Sequence, residues 1–188
     1  MRDRGRSLLV LALAPLLGGA APSLSIEPLG PGHAQAAAAY REIWTEEGER
    51  IVATLEGLTG FAFRDGEVEV VVSDTPPMTA YSGREMRLRA GYSPAYRRAT
   101  FVHELGHLLA LGMPRSAGID DHRLLYLFLY DAWTDLYGRD FADRMVSIER
   151  RIGPAYESAW DWALAMTREQ RHARLRGMRV RLDYRPVV

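Results

Sequence analysis

The sequence predicts one domain of the α+β class, in which strands precede a part built from helices alone. The chain has 188 residues, which is enough to bury one sizeable hydrophobic core. Two stretches, residues 67–73 and 84–91, alternate between apolar and polar residues as strands do. After residue 93 the apolar side chains recur at the three- and four-residue spacing of helices.

The first 39 residues are predicted to lie outside this domain. Residues 1–21 combine early arginines, an apolar run and small residues, the pattern of a secretory signal peptide cleaved near Ala20 or Ala21. This predicts a bacterial protein that is secreted or periplasmic, with an uncleaved anchor as the alternative. Residues 22–39, rich in Pro, Gly and Ala, are predicted to be a linker or a possible pro-segment. They include a second Ala-x-Ala site at 34–36, which leaves the mature start open.

The predicted domain spans residues 40–188. Its N-terminal part begins with a predicted helix that ends at Gly60. The Val-rich stretch at residues 67–73 follows as a strand. Residues 74–83 are predicted to be a loop. In residues 84–91, Met86 and Leu88 share one face and Arg87 and Arg89 the other, which indicates a strand at the edge of the sheet.

The remaining chain is predicted to be helical. Ser93 and Pro94 form a helix start, with Ser as N-cap and Pro in the first turn, and Gly112 ends that helix. Further helices are expected over residues 121–137, 141–151 and 154–176. No segment after the leader has the length and apolarity of a membrane span.

Composition excludes several classes of function. The formal net charge is zero, so nothing favours a nucleic-acid partner. The chain has no cysteine, which excludes disulfides, cysteine nucleophiles and thiolate metal sites.

The predicted helix after Ser93 carries the pattern His-Glu-x-x-His at His103, Glu104 and His107. Two histidines four residues apart project from one face of a helix, which suits two nitrogen ligands of one zinc ion. Glu104 lies beside them without pointing the same way, so it can act as the general base for a water on the metal. A pattern with only three fixed residues also occurs by chance in unrelated proteins. A catalytic zinc also needs a third protein ligand.

Asp131 is predicted to be that ligand. Asp131 and Asp135 continue the apolar stripe of the helix over residues 121–137, and buried carboxylates require a partner or a metal. The alternative is that both lie at the wet edge of that stripe. His122 is the rival ligand, but in a continuous helix it points about 180° away from Asp131.

These motifs together resemble the zincins of the gluzincin type, which include the thermolysins. In that family a Glu-x-x-x-Asp pair on a second helix follows His-Glu-x-x-His. The stretch DAWTDLYG is similar to it, with Asp131 in place of the ligand Glu and Asp135 in place of the Asp that orients the first histidine. The resemblance implies a zincin-like fold and zinc on His103, His107 and Asp131. It also implies that the strand at 84–91 binds extended peptide at the rim of the cleft. Aspartate is the third ligand in aspzincins too, but their motif fits less well.

The resemblance further implies a donor that stabilises the oxyanion. The sequence does not choose among its candidates, Tyr130, Tyr156, His172 and Tyr184.

The predicted function is therefore a secreted zinc-dependent metallopeptidase that acts on peptide or protein substrates, with Glu104 as general base. The alternative is a non-catalytic binding module of the same fold, in which zinc is structural or absent.

Overall fold

The computed structural model describes residues 21–183, with side chains up to residue 179. All but the last residue of the predicted signal peptide, together with Tyr184, lies outside this range. Within it, none of the helices has the length and apolarity needed to cross a membrane.

A mixed four-stranded sheet occupies the N-terminal part, and this confirms the predicted α+β class. Its strands lie in the order β1-β2-β4-β3. The first three of these are mutually parallel, and β3 pairs with β4 in the antiparallel direction. The strands are β1 (Ser23–Pro28), β2 (Glu67–Ser73), β3 (Met78–Thr79) and β4 (Glu85–Arg89).

The structure corrects the prediction of a linker over residues 22–39. Strand β1 pairs with β2 along its whole length, and Ile26 is buried. The first helix begins at Ala34. A six-residue strand with one buried side chain has almost no periodicity to recognise. Its partner strand begins more than 40 residues further along the chain, so no neighbouring residues indicate the pairing.

The edge-strand prediction is also wrong. Strand β4 lies between β2 and β3, with Met86 and Leu88 fully buried. Its exposed arginines show that one face of the sheet meets solvent, and such alternation says nothing about edges. The edge next to β4 is β3, a strand of two residues inside the segment predicted to be a loop.

Seven α-helices fill the rest of the described range. They are α1 (Ala34–Thr59), α2 (Pro94–Ala110), α3 (Asp121–Tyr126), α4 (Leu129–Tyr137), α5 (Arg139–Arg150), α6 (Pro154–Leu164) and α7 (Arg168–Asp183). The predicted cap of α2 is confirmed, since the Ser93 hydroxyl accepts a hydrogen bond from the Tyr96 amide.

The helix predicted over residues 121–137 is broken. Helix α3 ends before Leu127, and Phe128 leaves the helical conformation with φ −134° before α4 begins. Both residues are fully buried, so packing compensates for the lost helical turn. The break removes the fixed rotation between His122 and Asp131 on which the choice of third ligand depended.

Helix α2 lies at the centre of the molecule, in contact with β3, β4, α1, α3 and α4. Gly106, inside its His-Glu-x-x-His motif, lies against α3. A Cβ atom at this position would lie 2.5 Å from Cδ1 of Leu125. The glycine therefore lets α3, with His122 in its first turn, lie directly against the motif.

Candidate metal centre

Three imidazoles converge where α2 meets α3. The Nε2 atoms of His103 and His107 are 3.1 Å apart. The ring of His122 lies 5.7 Å from that of His103 and 5.1 Å from that of His107, centroid to centroid. One nitrogen from each residue lies within 4.8 Å of the other two. His103 and His107 are two of the three ligands predicted from the sequence, and His122 is the rival that was not preferred.

Local structure places each of these rings. His103 and His107 share a face of α2 because they are one helical turn apart. His122 is held by the start of α3, where the Asp120 carboxylate caps the helix by accepting a hydrogen bond from the Arg123 amide at 2.8 Å.

Asp131 does not join the cluster, which corrects the predicted ligand set. Both of its carboxylate oxygens accept hydrogen bonds from the Arg171 guanidinium, at 2.6 and 3.2 Å. This ion pair is buried, with side-chain exposures of 3% for Asp131 and 5% for Arg171. The buried Asp131 carboxylate does have a partner, as its place on the apolar stripe predicted, but that partner is an arginine on α7, 40 residues further along.

Asp135 likewise does not orient a histidine. It forms a two-point ion pair with Arg168 at the surface, with contacts of 2.5 and 2.8 Å. The alternative prediction, that the carboxylate lies at the solvent-exposed edge of the apolar stripe, is confirmed for Asp135.

Glu149 on α5 makes the contact with His103 that was predicted for Asp135. Its Oε1 atom lies 2.7 Å from Nδ1 of His103. Its Oε2 atom accepts hydrogen bonds from the Tyr126 hydroxyl at 2.9 Å and from the Trp160 indole at 3.0 Å. Glu149 continues the buried face formed by Ala142, Met145 and Val146, and this signal could have identified it from the sequence.

The charges of the site follow from burial and from this carboxylate. Burial opposes protonation of His103, but the charge and hydrogen bond of Glu149 outweigh it and raise the pKa of His103. Burial, followed by repulsion from His103, lowers the pKa of His107 well below its usual value and that of His122 to about 4. Both are therefore neutral near pH 7, the state in which imidazole binds a metal.

Glu104 lies next to the histidines and is also buried. Its Oε2 atom is 2.8 Å from the hydroxyl of Thr79 on strand β3, which is also 3.0 Å from the Glu104 carbonyl oxygen. Burial raises the pKa of Glu104, although the charge of His103 and the Thr79 hydrogen bond oppose this effect. A carboxyl group with a raised pKa is a stronger base than an ordinary glutamate.

A cavity of about 620 Å³ brings these groups together. The three histidines and Glu104 line it. The remaining lining comes from residues 77–81 and from Ala110, Leu111, Arg115, Asp120 and Asp121. Tyr156 also lines it, with its ring centroid 4.4 Å from that of His122. Among the candidate oxyanion donors, His172 lies by Asp131 and Tyr130 donates to Asp143, so the described residues leave Tyr156 at the cavity.

The donor set fits a zinc ion. Zinc binds imidazole nitrogen at 2.0–2.1 Å, so two ligands of a tetrahedral ion lie about 3.3 Å apart. The 3.1 Å between the two Nε2 atoms is close to this value. Three nitrogen ligands leave a fourth position for water or substrate, as in catalytic zinc sites.

Comparison of the chain with known protein families, with curated proteins and with solved structures finds no match.

Proposed function

We propose that the protein is a zinc-dependent hydrolase of peptide bonds, with the metal held by His103, His107 and His122. One observation carries the proposal: three imidazoles and a buried carboxylate line the same cavity. A structural zinc site is closed by four protein ligands, whereas this cluster has three beside a cavity large enough for a substrate. The absence of a fourth ligand among the described residues favours catalysis over a non-catalytic binding module.

When bound, zinc would supply Lewis acidity, which lowers the pKa of water and polarises a carbonyl group. Glu104 would accept the proton of the attacking water and pass it to the departing amine. The Thr79 hydroxyl restrains the carboxylate that moves this proton. With a proton on Nδ1 directed at the Glu149 carboxylate, His103 would offer its Nε2 lone pair to the metal.

Tyr156 would donate a hydrogen bond to the carbonyl oxygen as it gains negative charge. Burial and the nearby charges of Glu149 and Glu104 raise the pKa of the Tyr156 hydroxyl, so it keeps its proton at neutral pH. The proposal is supported by the Tyr156 ring, which lines the cavity beside His122.

The test combines metal analysis with hydrolysis of a mixed peptide library. We expect one zinc per chain, a loss of zinc in His122→Ala, and retained zinc without hydrolysis in Glu104→Gln. Glu157→Gln, an exposed glutamate outside the cavity, is the matched control and should behave as the wild type. Zinc binding without hydrolysis by the wild type would instead favour a binding module.

We further propose that residues 1–21 direct export, so that the mature chain begins just before β1. Cleavage at the second Ala-x-Ala site, residues 34–36, would remove β1 and expose the β2 edge with which it pairs. The mass of the exported protein tests this, and a mature start after residue 36 would contradict it.

A further inference from the structure

Strand β3 lines the cavity and has one free edge, since it lies at the end of the sheet. The Ala80 amide donates to the Glu85 carbonyl, and Thr79 lies opposite Met86 in the register of β3 and β4. Because successive residues of an antiparallel strand alternate in bonding direction, the main-chain groups of Thr79 face away from β4. Thr79 therefore presents an unpaired N–H and C=O beside Glu104, where an extended peptide could pair with them.

This free edge is short at one end because residue 77 is proline. Pro77 has no N–H to donate, so pairing beyond Met78 loses a hydrogen bond.

Beyond the other end of β3, a side-chain contact joins two residues that line the cavity. The hydroxyl of Tyr81, in the turn after β3, donates to Oδ2 of Asp121 at 2.6 Å. Asp121 also forms an ion pair with Arg115, and all three residues line the cavity. The contact joins the tip of the β3–β4 turn to the first residue of α3. Tyr81 is 78% exposed, so this contact and not burial holds its side chain.

The contact lies close to the reacting groups. Tyr81 follows Thr79 by two residues, an advance of at most about 7 Å along an extended chain. Since Thr79 marks the level of Glu104, a substrate has room for about two residues on this side of the bond to be cleaved.

Resting on the proposed hydrolase function, we propose that the contact between Tyr81 and Asp121 closes one end of the cavity. The enzyme then removes residues from the ends of peptide chains and does not cleave internal bonds. In this proposal Tyr81 and Asp121 determine specificity because their contact limits the length of the bound substrate. Neither belongs to the groups that react.

The test uses the zinc-loaded full-length protein and two peptides of the same composition. One is linear, with about twelve residues, long enough to overrun the closed end at about 3.3 Å per residue. The other is cyclic and has no ends. Mass spectrometry of the products should show stepwise loss of one or two residues from the linear peptide and an intact cyclic peptide. Internal cleavage of the linear peptide, or opening of the ring, by the wild type would overturn the inference.

Variants that open the end should change this product pattern. We expect Tyr81→Ala to cleave both peptides internally. Tyr81→Phe, which loses only the hydroxyl, should raise internal cleavage relative to end trimming by about fivefold, the value of one hydrogen bond. Tyr130→Phe is the matched control because Tyr130 donates to Asp143 at the surface outside the cavity. Its product pattern should equal that of the wild type.

A readout independent of hydrolysis follows the contact itself. Tyr81→Phe should speed amide hydrogen exchange in residues 80–84 and in the first turn of α3, whereas Tyr130→Phe should leave both unchanged. Unchanged exchange together with an unchanged product pattern would overturn the inference. If neither the wild type nor Tyr81→Ala hydrolyses either peptide, the proposed function itself fails, and the inference with it.

Discussion

Two buried carboxylates of this protein have different kinds of partner. The Oε2 atom of Glu149 accepts hydrogen bonds from groups on α3 and α6, and its Oε1 atom lies against Nδ1 of His103. Asp131 is bound on both oxygens by the guanidinium of Arg171. A buried carboxylate without such partners would be costly in this interior, so each residue depends on its neighbours for its place there.

At the residue scale we predict that Asp131→Asn lowers the free energy of unfolding and leaves zinc binding intact. The substitution leaves Arg171 charged, buried and without a counter-charge, which costs about 3 kcal/mol. Urea unfolding and metal analysis measure the two effects.

Asp135→Asn is the control for that prediction. Its ion pair with Arg168 is more than a third exposed, so water screens it and the expected loss is below about 1 kcal/mol. A folded Asp131→Asn protein that no longer binds zinc would restore Asp131 as the third ligand.

At the element scale, the approach of α3 to α2 determines whether His122 reaches the other histidines. Gly106→Ala should destabilise the fold by about 1–3 kcal/mol, because the new methyl group would meet the fully buried Leu125 side chain. It should also weaken zinc binding by displacing α3, which a chelator competition titration would measure. Gly57→Ala, in α1 with no atom near its Cβ position, should be neutral or slightly stabilising. Equal stability and equal zinc affinity of the two variants would show that a methyl group at position 106 does not move α3 away from α2.

The N-terminal helix is tied to two others by one carboxylate. Glu47 on α1 accepts hydrogen bonds from Arg98 on α2 at 2.7 Å and from Tyr137 on α4 at 2.8 Å. Burial acts to raise the pKa of Glu47, but these two hydrogen bonds outweigh it and lower the pKa below its usual value of 4.5.

This link predicts a pH dependence of stability. Because the pKa of Glu47 is lower in the folded state, its contribution is complete above pH 4.5 and is lost as pH falls through the folded pKa. Glu47→Gln should therefore lower the free energy of unfolding by about 1 kcal/mol at pH 7, and the difference should narrow below pH 4.5. Urea unfolding of both proteins across this range measures it. A difference that stays constant with pH would show that the charge of Glu47 is not the cause.

At the scale of the whole molecule, the histidine cluster joins two helices that the chain connects by a ten-residue loop, residues 111–120. A metal bound there would stabilise the folded state alone, by about 4 kcal/mol when free zinc is 1,000 times its Kd. We predict that zinc raises Tm and that a chelator lowers it reversibly. His122→Ala should abolish most of the shift, and a wild-type Tm that is indifferent to zinc would exclude the site.

The sequence by itself determined features that depend on residues close together in the chain. The Ser93 cap, the strand at Glu67–Ser73 and the helix carrying His103 and His107 were all predicted, because each rests on a period or on contacts within a few residues. The α+β class followed from their order. The tertiary structure alone decided the rest of the site. The break before α4 released His122 from the direction that a continuous helix would impose, and Arg171 neutralised Asp131 from 40 residues away. Such choices depend on which distant groups satisfy a buried charge and on how closely helices can pack, and neither is encoded in local periodicity.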